Sequence, residues 1–140
     1  MILLDTNVVI DARDASQPDH IWAVAQIKTA VTGEGAAINP VILAELCVGS
    51  PRPEAVAPEI RKLGLQILDL PAATATVCGQ AYRRYLLARR ASGTGPAPKT
   101  PLPDFFIGAH AEVMGWKLAT RDSERIARYF PAVDVLAPKK

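Results

Sequence analysis

No apolar run in this 140-residue chain approaches the roughly 20 residues needed to cross a bilayer. The opening Met1-Ile2-Leu3-Leu4 is too short for a signal peptide's apolar region and is stopped at once by Asp5. The expectation is therefore a cytoplasmic chain with no membrane partner. Cysteine is scarce: Cys47 and Cys78 stand far apart in apolar stretches and are expected to be two free thiols rather than a disulfide. There is no zinc-type Cys/His spacing and no Gly-rich phosphate loop, and Ser123 lacks a histidine at a recognisable spacing. Nucleophilic Ser or Cys chemistry has no support.

Acidic residues are missing altogether between Asp69 and Asp104, where Arg83, Arg84, Arg89, Arg90 and Lys99 lie. Such a surface suits a polyanion, and the four arginines are candidate RNA-backbone contacts. A solvated helix face rich in arginine would read the same way. About half of the chain is apolar, and residues 1–140 read as a single domain with no internal repeat.

The pattern of elements alternates. Residues 1–4, 36–39, 65–70, 116–120 and 133–136 read as short strands, with helical patterns between them over 6–12, from Pro18 to Gly33, 40–48, 54–63, 72–91, 102–114 and 123–129. The segment from Ser92 to Pro98 reads as a surface loop. Strands alternating with helices imply a parallel sheet covered on both faces, a three-layer α/β/α sandwich. In such sheets chemistry gathers beyond the carboxyl ends of the strands.

Four carboxylates fall at positions that matter in this scheme: Asp5, Glu45, Asp104 and Asp122. Asp5, Asp104 and Asp122 stand near helix starts, where a carboxylate caps free N–H groups and meets the positive end of the dipole. Capping and metal binding are compatible, because a carboxylate held there stays ionised. Glu45 is different. It lies in mid-helix among Val41, Ile42, Leu43, Ala44, Leu46 and Val48, with no basic residue before Arg52. A buried unpaired carboxylate costs several kcal/mol, so Glu45 either lies on a narrow exposed stripe or faces a cation.

Four carboxylates without His or Cys form a hard-oxygen set suited to Mg²⁺ or Mn²⁺. Such a site can activate water for attack on phosphorus. Thr6, Asn7 and Thr120 are placed to orient the carboxylates, or to serve as ordinary turn and cap residues. His110 is expected to be a packed or surface histidine, and His20 a helix-start residue.

The segments carrying these acids resemble the PIN domains, and among them the VapC-like toxin ribonucleases, including the FitB-like branch. The likeness lies in Met1-Ile2-Leu3-Leu4-Asp5-Thr6-Asn7-Val8, Asn39-Pro40-Val41-Ile42-Leu43-Ala44-Glu45-Leu46, Leu102-Pro103-Asp104-Phe105-Phe106-Ile107-Gly108-Ala109-His110-Ala111 and Leu118-Ala119-Thr120-Arg121-Asp122. Arg125 and Tyr129-Phe130-Pro131 follow the last of these. The resemblance implies a central five-stranded parallel sheet and metal-dependent RNA cleavage by Asp5, Glu45, Asp104 and Asp122, with Thr120 in support. It further implies 5′-phosphate and 3′-hydroxyl products, a homodimer, and inhibition by a small VapB-like antitoxin. Two departures stand out. Leu46-Cys47-Val48-Gly49 is uncharged where many relatives carry a basic residue, and Pro51, Pro53 and Pro58 crowd a segment that is often a cleaner helical clip.

The competing reading is a non-catalytic PIN-like module that binds RNA or an antitoxin without cutting. A haloacid-dehalogenase-like phosphatase is disfavoured, because the second aspartate it needs is Asn7 here.

Overall fold

Ile2, Leu3 and Leu4 are apolar without alternation because the strand they form is covered on both faces. The computed structural model describes residues 1–93 and 100–139. Within it run β1 (Ile2–Leu4), α1 (Thr6–Arg13), α2 (His20–Thr32), β2 (Ala36–Ile38), α3 (Pro40–Val48) and α4 (Pro53–Lys62). They are followed by β3 (Gln66–Ile67), α5 (Ala73–Ser92), α6 (Leu102–Met114), β4 (Lys117–Ala119), α7 (Ser123–Tyr129) and β5 (Val135–Leu136).

The five strands form one parallel sheet in the order β3-β2-β1-β4-β5. The order reverses at β1, which pairs with β2 on one side and β4 on the other. Right-handed crossovers then put α1 to α4 on one face and α5 to α7 on the opposite face. α1 lies against α2 and α3, and α3 against α4, while α5 lies against α6 and α7; α3 also meets α6, where Asn39 at its cap bonds His110. The reversal opens a crevice at the carboxyl ends of β1 and β4, where Asp5 and Thr120 follow the last strand residues.

Most element limits match the sequence reading within a residue or two. The third strand is the clearest difference: six residues were expected, but only Gln66 and Ile67 pair with β2, followed by a single further bond from Leu68 N to Ile38 O. It is an edge strand, with no ladder beyond it to extend its pairing. The fifth strand is likewise shortened to Val135–Leu136. Pro18 and Asp19 form a turn ahead of α2 rather than its first residues. Most of the loop expected over Ser92 to Pro98 lies outside the described residues; Ser92 itself ends α5.

An aromatic cluster fastens α5, α6 and α7 together. Phe105 packs against Tyr82, Tyr85, Tyr129 and Phe130 at ring separations of 5.0, 5.2, 5.5 and 5.9 Å. Gly108 on α6 allows this approach, since a Cβ there would overlap the Phe130 ring. Cys47 and Cys78 are both free. No helix among the described residues is long and apolar enough to cross a membrane.

Candidate active site

Asp5 caps α1, accepting a hydrogen bond from Thr6 N at 2.7 Å. Its other oxygen accepts from the Thr120 hydroxyl at 2.7 Å and from Asn7 Nδ2 at 3.2 Å. The carboxylate is buried, with the residue 7% exposed, so these donors replace the water it has lost. Thr120 is fully buried and does two jobs. Its hydroxyl donates to Asp5 and accepts from Asp122 N at 2.9 Å, which fixes the turn leading into α7.

Glu45 is half-buried, and its Oε1 accepts from the Thr6 hydroxyl at 2.7 Å. No ion pair to it exists among the described residues. Partial solvent access and this one bond account for an acid that sequence reasoning placed either on a stripe or before a cation. Asp104 sits in the first turn of α6 without acting as its cap, which is Pro101. Asp122 holds the cap position of α7 but makes no side-chain capping bond. Its carboxylate is taken instead by Arg125, one turn on at 2.7 Å. The same guanidinium stands 3.8 Å from Asp104.

The four acids feel one another. Burial pushes the Asp5 carboxyl above its ordinary value; Thr120 and Thr6 oppose this, Asp122 adds to it, and Arg125 offsets it. Burial likewise raises Glu45, where Thr6 opposes and Asp104 and Asp5 reinforce. Burial raises Asp104 too, countered by Arg125 and reinforced by Asp122. The repulsions thus close a ring from Asp5 to Glu45 to Asp104 to Asp122 and back. Segments more than 100 residues apart in sequence meet in one electrostatic neighbourhood that is short of positive charge.

That shortage, with an all-oxygen donor set, fits a hard divalent cation chemically. Among the described residues, however, no three acid, His or Cys side chains stand together as a ready-made ion site. Arg125 supplies positive charge between Asp104 and Asp122 instead. For an ion to be held, the carboxylates must draw in and Arg125 must give way. Asp122, whose side chain is 50% exposed, has room to move.

Around this centre lie further polar residues, of which the sequence reading did not single out Asp11. Asp11 is buried on α1 and pairs with Arg121 Nε at 3.1 Å, while Asn7 Oδ1 accepts from Arg121 N at 3.3 Å. Together they tie α1 to the turn between Thr120 and Asp122. Asn39 caps α3 by accepting from Ile42 N at 2.9 Å, which leaves its amide nitrogen to donate to His110 Nδ1 at 3.1 Å. His110 is fully buried against Trp116, and burial holds its pKa below the ordinary value. It is packed, one of the two places expected for it, and it also positions a helix cap. His20 sits at the start of α2, its Nδ1 2.8 Å from Asp11 O.

The four arginines proposed from sequence divide. Arg84 donates to Tyr129 O at 3.1 Å, and Arg89 lies over the Tyr85 ring at 5.8 Å; both line a recess between α5 and α7. Arg83 and Arg90 are exposed and do not line it. Arg125 was legible in the sequence as an i,i+3 partner of Asp122. The burial of Asp11 left no comparable trace.

Comparison with solved structures finds the same fold elsewhere. The structure of VapBC2 from Rickettsia felis bound to a DNA fragment from their promoter contains a chain 21% identical, with a TM-score of 0.72, covering 99% of this chain and 100% of that one. FitAcB from Neisseria gonorrhoeae gives 27% identity and a TM-score of 0.65 over 99% and 98% of the two chains. VapC20 from Mycobacterium tuberculosis, described as a sarcin-ricin loop cleaving toxin, gives 16% identity and 0.63 over 96% and 99%. A search of curated protein sequences returned no match. The family profile of the PIN domain matches residues 2–130, a span from β1 to the end of α7. The chain belongs to the PIN domain family.

Proposed function

We propose that this protein is a metal-dependent endoribonuclease, the toxin of a VapBC-type toxin–antitoxin pair, acting on RNA in the cytoplasm. The observation that carries the reading is geometric: where the strand order reverses, Thr120 and Thr6 bind Asp5 and Glu45, and one guanidinium, Arg125, reaches both Asp104 and Asp122. The similarity to VapBC and FitAB chains and to a ribonuclease toxin supports the same reading.

In this proposal the four carboxylates hold Mg²⁺ or Mn²⁺. The ion, when bound, offsets the charge of the phosphodiester and of the departing oxygen. Thr120, Thr6 and Asn7 keep Asp5 and Glu45 in place. Glu45 Oε1 is engaged by Thr6, which leaves Oε2 to take a proton from the attacking water. The water oxygen bonds to phosphorus, the P–O3′ bond breaks and the 3′ oxygen takes a proton from solvent, which leaves a 5′-phosphate and a 3′-hydroxyl. A VapB-like antitoxin and a second copy of the chain are its partners.

One observation favours a non-catalytic module instead: the acids are not gathered as an ion site, and Arg125 already sits among them. A Mn²⁺ titration with fluorescent RNA decides between the two. The nuclease reading expects metal-dependent products from the wild type, and a loss of about a hundredfold or more in Glu45→Gln. Binding without products would establish the module. Wild-type cleavage by Glu45→Gln would remove the acid from the site.

A further inference from the structure

Beyond the acid pocket, two recesses run between α5 and α7. The larger, about 570 Å³, is lined by Arg84, Tyr85, Arg89, Arg128 and Tyr129 among others. The second, about 470 Å³, shares Tyr85, Arg128 and Tyr129 with it and adds Thr100, Glu124 and Arg125. They form one groove. Its far wall is basic because α5 carries no acidic residue, and its near end is Arg125, the residue that touches Asp122 and Asp104.

We infer that this groove holds the sugar–phosphate backbone of single-stranded RNA, with Arg84, Arg89 and Arg128 as phosphate contacts that feed the strand to the four acids. The inference rests on the nuclease reading for the identity of its ligand. With Arg125 paired to Asp122 and Asp104, three arginines, Arg84, Arg89 and Arg128, face a single glutamate along the groove, so its field attracts a polyanion. Arg128 is exposed and makes no hydrogen bond or ion pair among the described residues, although Asp122 and Arg125 precede it on the same helix face. Continuity decides the ligand: a chain lying here passes Arg125 and presents its next phosphate to Asp104 and Asp122. An acidic peptide has no phosphorus to deliver there.

The groove also predicts how the RNA is read. Tyr85 and Tyr129 are each only 8% exposed, their faces packed in the aromatic cluster, so they offer no platform on which bases could stack. Contacts are then to the backbone and carry little sequence information. Sequence preference has to arise nearer the acids or from the shape of the RNA.

The test measures binding of a fluorescein-labelled single-stranded RNA to the full chain carrying Glu45→Gln, with Mn²⁺ present, over a series of salt concentrations. Arg128→Ala and Arg84→Ala should each weaken binding about fivefold, and lower the slope of log affinity against log salt by about 0.7. Arg128→Lys, which keeps the charge, should retain the slope. Lys62→Ala, on α4, is the control and should change neither quantity. Unchanged affinity and slope in the Arg84→Ala/Arg128→Ala double variant would overturn the inference. So would polyglutamate of equal charge competing as well as unlabelled RNA. Arginine-dependent binding by a wild-type chain that never cuts would uphold the groove and sink the nuclease reading; no RNA binding at all would sink both.

Discussion

Thr120 and Asp5 follow a register pair, Ala119 on β4 and Leu4 on β1, and the Thr120 hydroxyl donates to Asp5 Oδ2 at 2.7 Å. A residue 115 positions away in sequence thus supports the first acid as closely as its own neighbour Thr6 does. Thr120→Val keeps the shape but leaves a buried carboxylate without its best donor. It should cost about 1.5–3 kcal/mol and push the Asp5 carboxyl further up. Thr120→Ser should recover most of that loss. Urea melts of the three proteins measure it, and equal midpoints for Val and Thr would show the bond to be idle.

The acids are expected to burden the metal-free fold. Asp5, Glu45 and Asp104 all have carboxyls raised above their ordinary values, 3.8 for the aspartates and 4.5 for Glu45. Between the ordinary and raised values the folded chain holds protons that the unfolded chain has released. The stability these groups lend is therefore full below the ordinary values and is lost as pH rises through the raised ones. With chelator present, Glu45→Gln should melt at least as high as wild type at pH 7, and its advantage should shrink toward pH 4. Comparing variant with wild type isolates Glu45 from exposed acids such as Glu34, whose pKa is lowered by Lys117. A variant that melts lower at pH 7 would contradict the repulsion.

Arg121 should matter out of proportion to its exposure. Its partner Asp11 has a side chain only 2% exposed, while that of Arg121 is 44% exposed. Removing the guanidinium strands a buried carboxylate, so Arg121→Ala should cost about 1–3 kcal/mol. That is below the range for a fully buried pair because water reaches one partner. Adding Asp11→Asn should restore part of the loss. A double-mutant cycle by denaturant melts reads the coupling, and strict additivity would mean the two groups do not interact.

The two thiols should separate by reactivity. Cys78 is 1% exposed, and burial pushes its thiol up to about 11 from an ordinary 9.0, which is about a hundredfold less thiolate at neutral pH. Cys47 is only half-buried. Ellman's reagent should titrate Cys47 first and reach Cys78 only on unfolding. Two thiols reacting together in the native chain would place Cys78 wrongly.

Much of the architecture was readable in the chain because it depends on near neighbours. The unbroken Ile2-Leu3-Leu4, the Asn39-Pro40 start of α3 and Gly115 after α6 each set a local conformation that no distant residue need complete. Asp5 directly follows the first of these, while Glu45 and Asp104 stand inside the two helices, so the candidate pocket could be guessed as well. Gln66–Ile67 was over-read because the stop of an edge strand is set by its neighbour, not by the apolar residues that continue to Leu70.

By itself, then, the sequence determined the alternation of strands and helices and where the acids fall along them, since periodicity and chain breakers act over a few residues. Tertiary structure decided which groups meet. Thr6 reaches Glu45, Arg125 stands between Asp104 and Asp122, Asp11 is sealed beneath Arg121, and only two of the four arginines on α5 turn toward α7. Those pairings follow from the reversal of strand order at β1 and from helix packing, and both are fixed only when the whole core closes.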